Sequence, residues 1–246
     1  GVPEDIWPVE AVKCVSAMPF PLPDKHGKIS PKAKAEILRR AVGCDAVALG
    51  PGLGRGSGVT ELVLELLREI RQPVVLDADG INALAGHMDE WVRRRGRVTV
   101  LTPHEGEFLR VGGDLSQGRT AAAEGFVRRF GAVVVLKGPG TVVAGPDGRC
   151  RVNTTGNCGM AKGGSGDVLS GVVLALLGLG MDPFHACCCA GWLHGRAGGL
   201  AAQERGQWSM APTDLLEGLP QALREGTEKR VGGQRSAHRE GGDVAA

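Results

Sequence analysis

Apolar residues along this chain follow two rhythms. Short, nearly unbroken apolar runs occur at Asp45-Ala-Val-Ala-Leu-Gly50, Pro73–Leu76, Val98–Leu101 and Ala132–Leu136. Between them the spacing lengthens to that of a helix. Val59, Leu62, Val63, Leu66, Leu67 and Ile70 mark one face of a segment from Ser57 to Ile70. Further helices are predicted to begin at Ile81–Leu84 and to run over Glu105–Val111 and Arg119–Phe130. Apolar runs without polar alternation are strands buried on both faces, and the strand–helix alternation makes them parallel. After Lys137 the rhythm changes. Thr141-Val-Val-Ala-Gly145 and Arg149-Cys-Arg-Val-Asn153 flank Pro146-Asp147-Gly148, which is a hairpin signal. The prediction is an α/β fold with a mostly parallel central sheet and antiparallel strands at one edge. Helices over Asp167–Leu177, Pro183–Gln203 and Thr213–Arg224 complete it. Residues 1–224 read as a single domain with a proline-rich, loop-rich lead-in before Lys32. Residues 225–246 are polar, glycine-rich and aperiodic, and are predicted to be a disordered tail.

Composition narrows this picture. A chain of 246 residues can bury a sizeable core. A net charge of +2 gives no field that would hold nucleic acid, and the run Arg93 to Arg97 reads as a solvated helix end. There is no signal peptide and no apolar run long enough to span a bilayer. The seven cysteines contain no CxxC pair. Cys187, Cys188 and Cys189 are adjacent on a helix, point in different directions and cannot jointly grip one metal. They read as small buried hydrophobes of a reducing compartment. The expectation is a soluble cytoplasmic protein without nucleic-acid or membrane partners. Forty glycines, not periodic, gather at the ends of the apolar runs. Tight turns and close backbone approach to a ligand need them there.

Ligands of an open parallel sheet bind beyond the carboxyl ends of its strands. Four strands there deliver Gly50-Pro-Gly-Leu-Gly-Arg-Gly56, Asp77-Ala-Asp-Gly-Ile-Asn82, Thr102-Pro-His-Glu-Gly-Glu107 and Lys137-Gly-Pro-Gly-Thr141. A fifth segment, Gly156-Asn-Cys-Gly-Met-Ala-Lys-Gly-Gly-Ser-Gly-Asp167, runs straight into an apolar helix. Small residues at a helix start leave backbone N–H groups open, and the helix dipole adds positive charge there. Such a start suits a phosphoryl group in transfer. Asp167 at this spot either accepts a proton from an attacking hydroxyl or caps the helix.

The Gly-Gly-Ser-Gly-Asp stretch resembles the anion hole and catalytic aspartate of the ribokinase-like superfamily. The longer string from Asn157 to Gly171 resembles the bacterial, ADP-dependent NAD(P)H-hydrate dehydratases more narrowly. The glycine loop at Gly50, Leu76-Asp-Ala-Asp-Gly-Ile-Asn-Ala-Leu84, the Thr-Pro-His-Glu-Gly-Glu loop and Leu136-Lys-Gly-Pro-Gly-Thr141 match in the same order. The resemblance implies a three-layer α/β/α domain that removes water from (6S)-hydrated NADH or NADPH, giving AMP and phosphate. It implies Asp167 as base, with Gly164, Ser165 and Gly166 forming the anion hole. It places Lys137, Gly138, Pro139, Gly140, Thr141 and Gly166 on the nucleotide, and Gly52, Gly54, His104 and Asp167 on the hydrated cofactor. It implies ADP, with ATP as the alternative, together with Mg2+, for which Glu107 is the candidate ligand, and a homo-tetramer. Asp77 and Asp79 stay open between magnesium support and helix capping, and Lys162 between steadying phosphate and facing solvent. The family domain also has a segment ahead of this start, with a lysine-glycine motif and a strand, so the chain reads as an N-terminally truncated form. The competing expectations are a small-molecule hydroxyl kinase of the same superfamily and an inactive nucleotide-binding module.

Overall fold

Alternation within single strands sets the layers. A computed structural model describes residues 1–237, and positions 238–246 of the expected tail lie outside the described residues. The lead-in is more ordered than expected. It holds β1 (Val2–Pro3), α1 (Trp7–Lys13), β2 (Pro21–Leu22), β3 (Asp24–Lys25), β4 (Lys28–Ile29) and α2 (Lys34–Ala41). The main sheet follows, with β5 (Val47–Leu49), β6 (Val74–Leu76), β7 (Thr99–Leu101), β8 (Val133–Leu136), β9 (Val142–Ala144) and β10 (Cys150–Val152) side by side in sequence order. β5 to β8 are parallel, whereas β9 and β10 form the antiparallel edge.

Val74, Leu76, Leu101, Val134 and Leu136 point to one face, where they pack with α3 (Ser57–Glu69) and α6 (Arg119–Phe130). Val75, Val100, Val133, Val135 and Val143 point to the other face, against α7 (Ser165–Gly178) and α8 (Pro183–Arg205). A period of two in strands buried on both sides produces this division and gives the expected three-layer α/β/α fold. Two short helices, α4 (Ala78–Asn82) and α5 (Glu105–Arg110), open directly from the ends of β6 and β7. α9 (Pro212–Ala237) packs on α8. Among the described residues no helix is long and apolar enough to cross a membrane.

Three expectations need correction. The tail predicted from residue 225 does not begin there, because α9 continues to Ala237. Leu219 and Ala222 pack toward Ala197 of α8, and Glu225 pairs with Arg196 at 2.5 Å. Those tertiary contacts hold a turn that has no apolar periodicity of its own. Arg94, within the arginine run, is not solvated either. Arg94 is 3% exposed and donates to the carbonyls of Leu67 (3.1 Å), Ile70 (2.5 Å) and Gln72 (2.8 Å) and to Thr99 Oγ1 (2.8 Å). The end of α3 leaves carbonyls without helical partners, and a guanidinium fork can satisfy several at once. Burial, then the neighbouring Arg97, pulls the Arg94 pKa down to about 10. Finally, α4 starts at Ala78 rather than at Ile81, because the Asp77 carboxylate accepts the Ala78 N–H at 2.9 Å.

Candidate active site

Parallel strands carry their following loops to one edge, and the structure brings the predicted loops together there. Asp77 N–H donates to Leu49 O at 3.2 Å, so the ends of β5 and β6 touch. A Cβ on Gly50 would overlap the Asp77 carbonyl, and one on Gly80 would lie 3.0 Å from Gly50 Cα. Only glycine permits that approach. Lys137 N–H donates to Pro103 O at 2.8 Å, which sets Lys137 beside His104 in a parallel bridge.

Asp77 lies at the floor, 2% exposed. Lys137 Nζ donates to its Oδ1 at 2.7 Å and Ser170 Oγ to its Oδ2 at 2.7 Å. Ser170 Oγ is in turn 3.2 Å from Thr102 Oγ1. The buried carboxylate is thus both neutralised and hydrogen-bonded, as burial requires. Ala78 beside it has φ of 47°, a left-handed conformation that a non-glycine residue adopts at a cost. Asp79 holds the glycine loop: it accepts the Gly54 N–H, Arg55 Nε and Asn82 Nδ2, each at 3.1 Å. Both aspartates therefore act as caps and ties. Gly52 and Gly54 have φ of 74° and 75°, left-handed values that the turn after β5 requires.

The start of α7 faces this floor. Gly164 has φ of 93°, and no side chain caps the helix, so the capping alternative for Asp167 is not realised. Ser165 N–H bonds to Lys162 O at 3.2 Å. The N–H groups of Gly166 and Asp167 lie in the first turn, where a helix supplies no acceptor of its own. A Cβ on Gly166 would stand 3.2 Å from Lys137 Nζ and 3.8 Å from Asp77 Oδ2. The lysine ammonium thus stands beside the first turn of α7, at Gly166. Asp167 is exposed on the same turn. Partial burial and then the Asp77 charge push its pKa up, while Lys137 opposes them.

The Lys137–Thr141 loop is held by a residue that sequence reasoning missed. Arg119, first in α6, donates to the carbonyls of Leu136 (2.9 Å), Lys137 (2.9 Å), Gly140 (3.2 Å) and Pro139. A Cβ on Gly138 would sit 2.7 Å from its Nη2. Thr141 Oγ1 donates to Gly138 O at 3.1 Å. Beyond this loop, Asn153 N–H donates to Thr141 O at 2.8 Å. There a cavity of about 360 Å³ opens between β10 and α8, lined by Arg151, Asn153, Thr154, Cys188 and Trp192 among others.

Two predicted ligands are committed elsewhere. Glu107 N–H donates to His104 Nδ1 at 3.3 Å, and His104 N–H donates to Glu107 Oε2 at 2.9 Å. This reciprocal capping box closes α5. The other Glu107 oxygen lies 3.4 Å from His104 Nε2. Both Glu107 oxygens thus turn to His104, and the expected metal ligand serves here as the second half of the helix cap. Among the described residues no group of three His, Cys, Asp or Glu could hold an ion. The His104 ring caps through Nδ1 while its side chain remains 54% exposed, so its outer edge is open to a ligand. Lys162 is exposed, and its Nζ donates to Trp208 O at 3.0 Å and to Met210 O.

Comparison with known proteins follows from this geometry. The profile of the NAD(P)H-hydrate dehydratase family matches residues 7–221. The chain is 41% identical over 229 residues to a bifunctional NAD(P)H-hydrate repair enzyme of Moorella thermoacetica, covering 91% of this chain and 43% of that protein. It is 39% identical over 178 residues to an ADP-dependent (S)-NAD(P)H-hydrate dehydratase of Neisseria meningitidis, covering 70% of this chain and 60% of that one. The chain thus spans less than two thirds of these relatives. A crystal structure of an ADP/ATP-dependent NAD(P)H-hydrate dehydratase of Bacillus subtilis, grown with ATP and Mg2+, superposes with a TM-score of 0.70 at 29% identity, over 90% of this chain and 76% of that one.

Proposed function

We propose, from the premise that this chain belongs to the NAD(P)H-hydrate dehydratase family, that it dehydrates (6S)-hydrated NADH and NADPH with ADP, giving AMP and phosphate. One observation carries the reading: Lys137 Nζ stands over the open first turn of α7, with Asp167 on that same turn. A carboxylate set beside an anion hole is unfavourable for static anion binding. It suits a step in which the carboxylate takes up a proton as phosphate charge moves in.

Asp167 accepts the proton of the ring hydroxyl. The hydroxyl oxygen attacks the terminal phosphorus of ADP, and the bond from that phosphorus to the bridging oxygen breaks, releasing AMP. Lys137 and the N–H groups of Gly166 and Asp167 hold the transferring phosphoryl oxygens. The phosphate ester then leaves with its ring C–O electrons while the adjacent carbon loses a proton, restoring the double bond. The Lys137–Thr141 loop, with Arg119 fixing its carbonyls, holds the nucleotide phosphates. The cavity beyond Thr141, of about 360 Å³, lies within the range of small-ligand sites and takes the nucleoside. His104 offers its outer ring edge to the hydrated nicotinamide from the facing loop, and Gly52 and Gly54 give that ring a wall of bare backbone. Magnesium belongs to this reading as a companion of the nucleotide phosphates, which supply the oxygen ligands it prefers. Among the described residues no group of three His, Cys, Asp or Glu forms a cage for it. A homo-oligomer and a cytoplasmic setting belong to the same reading. Exposed Val12, Val15 and Met18 support the first and seven free cysteines the second.

Asp167→Asn should retain ADP binding and lose about two to four orders of magnitude in turnover, the scale of a lost general base. Return of reduced-nicotinamide absorbance from hydrated NADH with ADP, alongside phosphate release, measures it. Accumulation of a phosphorylated alcohol without recovered absorbance would make the protein a kinase instead.

A further inference from the structure

We infer that His194 is a positioning residue for the phosphoryl site, acting through the Ser165–Gly166 peptide. The inference rests on the reading of the α7 start as the phosphoryl site. His194 lies in the middle of α8, which packs beside α7 in the same layer. Its Nε2 stands 2.9 Å from the carbonyl oxygen of Ser165. A carbonyl only accepts, so Nε2 carries the proton, and the neutral ring is fixed as the Nε2–H tautomer. Burial keeps the ring pKa below its ordinary value, against the Ser165 hydrogen bond and with the Lys137 charge, and favours this neutral form.

The consequence follows from peptide planarity. The Ser165 carbonyl and the Gly166 N–H belong to one rigid amide and point in opposite directions. Holding the carbonyl therefore also holds the plane of the Gly166 N–H, at a residue whose added Cβ would stand 3.2 Å from Lys137 Nζ. Gly166 has no side chain to hold that plane, and Gly164 before it sits in a left-handed conformation with no side-chain cap. The Ser165 hydroxyl is buried and makes no hydrogen bond of its own to steady the turn. His194 thus adds, from a neighbouring helix, a second hydrogen bond to a carbonyl that the first turn of α7 already orients. It touches no substrate.

The test separates this from mere packing. His194→Leu removes the donor, whereas His194→Gln keeps a donor near the Nε2 position. Inorganic phosphate titrated into the protein in saturating AMP probes the site without turnover. The expected result is a phosphate affinity about tenfold weaker in His194→Leu and within about twofold of wild type in His194→Gln, with AMP affinity unchanged in both. That loss falls below the hundredfold or more for deleting an anion-hole donor outright, because the donor stays and only its aim is relaxed. Turnover with hydrated NADH and ADP should follow the same order in kcat rather than in the KM for ADP. Equal losses in both variants, losses that track the melting temperature, no loss in His194→Leu, or no phosphate binding by wild type would overturn the inference. In the unsubstituted protein, nitrogen-15 NMR should find the Nε2–H tautomer at neutral pH, and the Nδ1–H tautomer would overturn it without any variant. A wild type that binds phosphate but restores no reduced nicotinamide sinks the proposed reaction alone.

Discussion

Lys137 couples charge, binding and pH at a single position. Its ammonium neutralises buried Asp77 and opposes the upward shift of the Asp167 pKa. Removing it should weaken ADP binding by about tenfold to hundredfold, the scale of one charged hydrogen bond. It should also move the acid limb of the pH–rate profile. Asp167 must be ionised to accept a proton, and Lys137 holds its pKa down, so Lys137→Met should shift that limb to higher pH. Asp77 would lose its cation in that variant, so stability should fall as well. Adding Asp77→Asn should recover the stability and leave ADP binding weak. An unmoved acid limb with unchanged ADP affinity would contradict the assignment. Asp167 itself has the opposite sign for stability. Its folded pKa is raised, so folding disfavours its ionised form, and stability falls as pH rises from the unfolded to the folded value. Asp167→Asn should therefore melt no lower than wild type at neutral pH. The sequence exposes Asp167, Lys137 and the glycine loops because a phosphate site demands bare backbone and few charges in one stretch. Arg119, Ser170 and His194 stay hidden, because each acts through hydrogen bonds to residues far along the chain and leaves no local spacing.

Strands of unbroken Val and Leu and a Pro-Asp-Gly turn made the sheet and its antiparallel edge legible. Helix ends decided by tertiary partners, at Arg94 and Glu225, were not, nor was the start of α4 at its local Asp77 cap. The helix α8 adds a feature that periodicity cannot show. Gly195 and Gly198 face the segment leading to the α7 start. A Cβ on Gly195 would lie 2.6 Å from the Thr155 carbonyl carbon, and one on Gly198 would lie 2.8 Å from Met160 Cγ. Alanine gains up to about 1 kcal/mol over glycine in a helix interior. Overpacking against backbone costs about 1–3 kcal/mol, so it wins at Gly195. Gly195→Ala should lower stability in urea and reduce turnover as the Thr155–Lys162 segment shifts. Gly199 makes a control on the same helix, since its added Cβ would meet nothing nearer than Arg196 Nη1 at 3.8 Å. Gly199→Ala should be neutral or stabilising in the same assay. Equal behaviour of the two variants would show that α8 does not position the loop.

The candidate site joins parts that the fold otherwise keeps apart. Its loops leave the ends of β5 to β8, while α7 belongs to the layer on the far face with Leu169 and Val173. Among the described residues, Ser170 of α7 makes side-chain hydrogen bonds across this junction to Asp77 and Thr102. A nucleotide whose terminal phosphate sits between Lys137 and the α7 start adds a second tie, made only in the folded state. At a concentration one hundred times its dissociation constant, ADP should add about 2.7 kcal/mol of stability. For a chain of this size that corresponds to a rise in melting temperature of about 5–10 °C. AMP lacks the phosphate that reaches α7, so its affinity, and its shift at equal concentration, should be smaller. Phosphate added with AMP should restore much of the difference. Lys137→Met should shrink the ADP shift toward the AMP value. If AMP and ADP protect equally at equal concentration, the terminal phosphate does not reach the α7 start, and the phosphoryl group would have to be handled elsewhere on this edge of the sheet.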